Sequence, residues 1–269
     1  MIASRRVKAI LRQQFSLTTL GIAGDRSFMA VESARPVHGS SRRMRIATLL
    51  ALLFAMAFPA SAQVPPSPAE RDAYEGLFLA AARGDTAQIA RLAAAGSTVD
   101  ARDSYARTPL HVAAYFRQQE AMRALAKAGA DPNALERDRY DVVTIAAVAD
   151  DVATLETALA IGARATNMTS RYDGTALIAA AHLGHDIVVR TLIRAGAPLD
   201  HVNNLGWTAV IESIVLGDGG PRHAATLRAL IEAGANVNLA DRNGATPLAL
   251  ARGRGLAEMV ALLEKAGAR

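Results

Sequence analysis

Three side chains that could do chemistry lie within twelve residues of one another: Glu212, Asp218 and His223. Two carboxylates and an imidazole are the minimal kit for proton transfer or for gripping a divalent cation. The intervening Gly217-Asp218-Gly219-Gly220 would let the backbone wrap a small ligand. This cluster defines one functional expectation: a ligand- or metal-binding site, or a weak enzyme, built around Glu212 and the 217–223 loop. The rest of the chain does not reinforce it. His182, His185 and His201 are not spaced as two ligands four apart on a helix, and there is no cysteine. There is also no glycine-rich phosphate loop followed by lysine and no nucleophile turn. The expectation is therefore a protein that is not an enzyme, with no catalytic residue, no cofactor and no metal.

What positions these residues is a repeat. Gly96, Gly129, Gly162, Gly196, Gly234 and Gly267 each close an apolar, helix-like run, in steps of 33, 33, 34, 38 and 33 residues. A fixed period near 33 implies stacked units of a turn plus two helices, an all-α solenoid in which each unit contacts only its neighbours. The expected units are 73–102, 103–135, 136–169, 170–202, 203–240 and 241–269. In the second, Thr108 caps a helix that Pro109 starts, and His111 holds the turn by a local hydrogen bond. Ala113-Ala114, Ala146-Ala147 and Ala180-Ala181 are small so that short first helices can pack closely. Leu125, Leu159, Leu192, Leu230 and Leu263 fill the core from the second helices, and each terminal glycine is expected to be left-handed.

The copies differ. The first unit is a degenerate cap. The third, with Arg139-Tyr140-Asp141-Val142, lacks Thr-Pro and is expected to be the weakest internal repeat. The fourth places His185 in the turn between its helices. The fifth has about five extra residues, expected as a surface loop over 218–223. When units are superposed on their threonines, Glu212 aligns with Val112, Ile145, Ala179 and Leu250. A half-buried carboxylate needs a partner, and Asn203, Trp207, Asp218, His223 or backbone amides are within sequence reach. It is either a recognition spot or a structural anchor tying the inserted loop to its helix. Arg252, Arg254, Glu258 and Lys265 make the sixth unit polar, as a terminal cap requires.

The chain of 269 residues has a net charge of +5, but the excess sits at one end. Residues 1–62 hold nine of the 30 basic and two of the 25 acidic residues, leaving a net charge of −2 on the remainder. That argues against a nucleic-acid partner for the folded part. Met44-Arg45, the apolar run 46–58 and Pro59-Ala60-Ser61-Ala62 read as a signal peptide, 44–62, cleaved at Ala62/Gln63. The 13 apolar residues of that run are too few to span a bilayer, which takes about 20 helical residues. The protein is then expected to be periplasmic or secreted, with no stable membrane anchor after cleavage. Residues 1–43 would be an extension upstream of a translation start at Met44, or, with Ser41-Arg42-Arg43, part of a twin-arginine signal. Residues 63–72, with Pro65, Pro66 and Pro68, read as a linker, and 73–269 as one domain.

Thr108-Pro109-Leu110-His111, Thr246-Pro247-Leu248 and the Gly-Ala-x-x-Asn hairpins at 129–133 and 234–238 resemble the ankyrin-repeat family. The Arg171-Tyr172-Asp173-Gly174 and Asn203-Asn204-Leu205-Gly206-Trp207 runs are similar to those of exported bacterial members. The resemblance implies an ankyrin-repeat solenoid of about six helix-turn-helix units with short β-hairpin-like connections. It also implies a scaffold, expected to be monomeric, that binds a protein partner through a concave hairpin and first-helix face. Carried onto this sequence, the partner-binding positions would be Tyr105, Arg107, Tyr115, Phe116, Tyr140, Arg171, Tyr172, Asn204 and Trp207. Aromatic residues and arginine dominate binding hot spots, and this set is rich in both.

Overall fold

The computed structural model describes residues 63–269; the expected signal peptide and the extension before it lie outside the described residues. After a short helix α1 (Pro68–Asp72) come six helix pairs. They are α2 (Gly76–Arg83) with α3 (Thr86–Ala94), α4 (Pro109–Tyr115) with α5 (Gln119–Lys127), and α6 (Val142–Val148) with α7 (Val152–Ala160). Then follow α8 (Ala176–Leu183) with α9 (Asp186–Arg194), α10 (Ala209–Val215) with α11 (Pro221–Glu232), and α12 (Pro247–Gly253) with α13 (Ala257–Lys265). First helices pack on first helices and second on second, giving two layers joined by turns. Among the described residues no helix is long and apolar enough to cross a membrane.

The first-helix layer is nearly all small or branched apolar residues. Ala113, Ala114, Ala146, Ala147, Ala180 and Ala181 are all buried, because seven- or eight-residue helices pack this tightly only without long side chains between them. In four units the second-helix core uses the residue four before the terminal glycine: Leu125, Leu192, Leu230 and Leu263 are fully buried, whereas Leu92 of the first unit is half-buried. In the third unit that position is Ala158, and the expected Leu159 lies one residue out of register and only half-buried.

Each pair ends the same way. Gly96, Gly129, Gly162, Gly196, Gly234 and Gly267 have φ between 79° and 99°. The next residue's N–H returns to the carbonyl of the core position, as in Ala130 to Leu125 at 3.0 Å. This is the six-to-one bond of a left-handed helix cap. Nothing lies within 4 Å of where a β-carbon on Gly129 would sit, so Gly129→Val tests mainly the left-handed backbone. We expect it to lower stability by about 1–2 kcal/mol, read as a shift of the chemical denaturation midpoint; an unchanged midpoint would remove the cap from the account.

Two expectations need correction, those on the 63–72 linker and on the fifth-unit loop, and the third unit has a cap that was not expected. The 63–72 linker is a docked element: Ser67 and Glu70 form a reciprocal capping box on α1, and Pro66 is buried. The third unit loses Thr-Pro without losing its cap, since Asp141 accepts from the Thr144 N–H at 2.8 Å and from the Asn167 amide at 2.9 Å. The extra residues of the fifth unit are partly helical: Pro221, Arg222 and His223 form an added first turn of α11, twelve residues against nine in each other second helix. Only 216–220 remain as loop.

Candidate binding surface

The turns before each first helix are cross-braced. Five residues before each helix-capping residue stands an acceptor: Asp103, Glu136, Ser170, Asn203 and Asp241. Asp103 takes the N–H groups of Tyr105 (2.8 Å) and Arg107 (2.9 Å), and Asn203 those of Leu205 and Trp207 (both 3.0 Å). Glu136 and Asp241 repeat the pattern; Ser170 keeps one of the two bonds, to Tyr172. Neighbouring hairpins are tied by backbone bonds, Arg137 to Tyr105 at 3.0 Å, Ser170 to Arg139 at 3.1 Å and Asn204 to Tyr172 at 2.8 Å. The hairpin edge is thus cross-linked through its backbone from the second to the fifth unit. Sequence reasoning missed this acceptor, although its fixed offset is visible once the units are aligned on their capping residues.

Of the expected contact residues, Tyr105, Tyr115, Phe116, Tyr172 and Trp207 are half-buried, and Arg171 and Asn204 are exposed. Arg171 pairs with Asp138 at 2.8 Å, and the Asn204 side chain donates to the Arg171 carbonyl at 3.0 Å. Tyr105 lies between two guanidinium groups, Arg107 at 4.8 Å and Arg137 at 4.9 Å from the ring centre. The Tyr115 hydroxyl is buried without a hydrogen-bond partner, so its contribution to a surface is its ring edge. Phe116 is partly covered by Arg71.

Two expected contact residues are withdrawn from the surface by burial. Tyr140 is 5% exposed and packed in the core. Arg107 is 0% exposed. It donates to Asp103 at 2.7 Å, to the Val64 carbonyl at 3.3 Å and to Glu70, and so clamps α1 onto the second hairpin. Burial pushes the Asp103 carboxyl up, but the Arg107 backbone N–H, the Tyr74 hydroxyl and the Arg107 guanidinium together hold it below the usual range.

His111 is internal. Thr108 donates its N–H to Nδ1 at 3.1 Å, and Nε2 donates to the Tyr140 carbonyl at 3.2 Å. One imidazole thus caps its own helix and grips the next hairpin. Burial lowers its pKa to about 4. His185 donates from Nδ1 to the Ala147 carbonyl at 2.9 Å.

Glu212, Asp218 and His223 do not converge. Glu212, 4% exposed, accepts from the Asn203 amide at 3.0 Å and from His182 Nδ1 at 3.1 Å. It braces its own hairpin and the preceding repeat rather than the inserted loop. Asn203 was within the expected set of partners; His182, one repeat away, was not visible from local sequence. Asp218 faces His223 Nδ1 at 2.8 Å, and His223 Nε2 faces the His182 carbonyl at 2.9 Å. The Gly220 N–H, with His223, keeps the Asp218 carboxyl below its ordinary range. A side chain at Gly217 would meet the Ser213 carbonyl at 2.2 Å and the His223 ring at 2.6 Å, so this glycine is needed for packing. Arg254 of the last unit caps the loop from outside, donating to the carbonyls of Ile214 and Gly217. Arg222 reaches Asp150, two units back, at 2.6 Å. Among the described residues no group of three or more metal-ligating side chains gathers.

Paired helices in two layers, braced hairpins along one edge and half-buried aromatic residues beside them define an interaction scaffold made of stacked repeats. The chain belongs to the ankyrin-repeat family: the family model described as ankyrin repeats (3 copies) matches residues 51–136 and 143–241. It is 34% identical over 192 residues to the ankyrin repeat protein YahD of Escherichia coli (strain K12), covering 71% of this chain and 95% of that protein. Among solved structures it is similar to an ankyrin repeat domain from Acinetobacter baumannii AYE, with 43% identity, a TM-score of 0.68 and coverage of 72% of this chain and 98% of that one. It is also similar to the ankyrin repeat domain of Bcl-3, a member of the IkappaB protein family, with 28% identity, a TM-score of 0.66 and coverage of 73% and 87%. Ankyrin repeats are protein–protein interaction modules, and the fold is in general non-enzymatic.

Proposed function

We propose that this protein is an exported scaffold that binds a protein partner through its hairpin edge and the adjoining ends of its first helices. The observation that carries the reading is the row of half-buried aromatic residues, Tyr105, Tyr115, Phe116, Tyr172 and Trp207, set beside a backbone-braced strip. Aromatic side chains fixed in this way lose little conformational freedom on binding. The signal-like 44–62 segment supports export to the periplasm or beyond. Glu212, Asp218 and His223 serve the packing of the fourth to sixth units, and the scaffold acts as a monomer without chemistry of its own.

The test is affinity capture from a periplasmic extract with wild type and with Tyr172→Ala/Trp207→Ala. Loss of a specific partner in the double variant, with an unchanged melting curve, is the expected result. An identical partner set would place binding elsewhere. Mass spectrometry of the exported protein should find Gln63 at the N-terminus; a recovered peptide from residues 1–43 would rule out a start at Met44.

A further inference from the structure

The hairpin tips segregate charge by sign. Over 102–106, 135–139, 169–173, 202–206 and 240–244, the exposed charged residues are Arg102, Arg137, Arg139, Arg171 and Arg242. Of the acids in the same segments, Glu136 and Asp138 are buried and Asp103 and Asp241 half-buried, while the Asp173 side chain is as open as that of its partner Arg139. Three of them spend their oxygens on backbone N–H groups, and the other two hold Arg171 and Arg139. Two of the remaining arginines are fixed by carbonyls, which position a guanidinium without cancelling its charge. Arg102 donates to the carbonyls of Ala106 at 2.7 Å and Leu135 at 2.6 Å. Arg137 donates to the Ser104 carbonyl and lies over the Tyr105 ring. The stem of Arg242 lies over Gly206, which keeps its head at the edge. So a domain whose net charge is −2 presents Arg102, Arg137 and Arg242 at its hairpin edge as cations placed by carbonyls or by their own stems, beside the ion pairs of Arg139 and Arg171.

We propose that this edge docks an acidic, extended polypeptide segment carrying a carboxylate at every third residue. The inference rests on the reading that the hairpin face binds protein, and it adds the partner's chemistry and spacing. Each repeat contributes two chain passes to the edge, and hydrogen-bonded passes lie about 4.8 Å apart, so equivalent tips recur at about 10 Å. A polyproline II segment has three residues per turn and rises about 3.1 Å per residue, so every third side chain falls on one side at about 9 Å. Arg137, Arg171 and Arg242 occupy one equivalent tip position in the third, fourth and sixth units; that spacing presents a carboxylate directly to Arg137 and Arg242, and one to Arg171 that it would share with Asp138. A guanidinium already held in place loses little entropy when it donates to both oxygens of a carboxylate. Nucleic acid fits less well: its phosphates are closely spaced, whereas Ser104 and Asn204 interrupt the arginine row and the net field of the domain is negative.

The test uses the full chain and a fluorescent Glu-Pro-Pro repeat peptide, with a peptide of the same composition but blocked glutamates, and single-stranded DNA, as competitors. The repeat peptide should bind more tightly than the blocked one. Arg242→Gln and Arg137→Gln should each weaken it about tenfold, and added salt should weaken binding to the wild type more than to the variants. Arg242→Gln removes no intramolecular hydrogen bond, so its result stands even if Arg137→Gln loosens the junction with Ser104. No binding of the repeat peptide, equal affinity for the blocked peptide, equal affinity of wild type and Arg242→Gln, or tighter binding of DNA would each overturn the proposal. None of these outcomes touches the capture experiment with Tyr172→Ala/Trp207→Ala, so failure of the acidic-segment idea and failure of the scaffold reading are separately visible.

Discussion

Replacing Arg107 with methionine is expected to destabilise the protein by about 3 kcal/mol or more. Methionine fills most of the volume but leaves two carboxylates where a guanidinium stood. Asp103 is the more serious of them, because it cannot turn to solvent without surrendering the N–H groups of Tyr105 and Arg107 that it holds. Glu70 is a quarter exposed and rehydrates more readily. The loss should therefore act mainly on the second hairpin and on the docking of α1, and limited proteolysis should open the 63–72 segment before the rest of the chain. Asp103→Asn combined with Arg107→Met should cost less than the sum of the two single changes, since they remove one coupled pair. Chemical denaturation of the four proteins decides this. A wild-type midpoint for Arg107→Met would show that the clamp contributes no stability.

The second large effect is pH-dependent. His111 has an unfolded value near 6.5 and a folded value of about 4. Between these the unfolded chain binds a proton that the folded one refuses. Stability from this group is complete above pH 6.5 and drains away as pH falls towards 4, about 3 kcal/mol in all. His185, also lowered by burial, acts in the same direction. Glu136 and Asp141, both raised by burial, act oppositely over the acidic part of the range, because their folded forms take up protons first. His111→Gln separates these contributions, since glutamine at this position can keep the reciprocal cap with Thr108 and does not titrate. The variant should lose less stability than wild type between pH 7 and 4. Parallel stability curves for the two proteins would show that His111 is not the linked group.

Much of the scaffold could be read from residue spacing because its signals are local. The terminal glycines, Thr108-Pro109 and the paired alanines each report on one turn of chain. What could not be read is what depends on a neighbour one repeat away. Arg107 carries the residue type of a binding hot spot, and only the docking of Glu70 and Val64 shows that it is internal. Tyr140 is hidden by the same kind of contact, and Glu212 draws its second partner, His182, from the preceding unit. The capping role of Asp141 and the box formed by Ser67 and Glu70 fit local cap patterns and were legible in the chain itself. The arginine strip was hidden by averaging: charges that sum to a small negative total still sort by depth once acids turn inward to hold backbone N–H groups.

The contact from Arg222 to Asp150 has a consequence for how such a chain can be lengthened or shortened. Repeat arrays grow by duplicating or deleting a unit, and that is harmless when every bond is to the adjacent copy. Here the extra turn of α11 lets the fifth unit reach past the fourth to the third. The fourth unit is bracketed, and excising or copying it would change the distance this side chain must cross. Arrays swapped unit by unit should therefore lose this surface pair, at a cost of about 1 kcal/mol or less, when the fourth unit is copied or removed, and keep it when the second is copied.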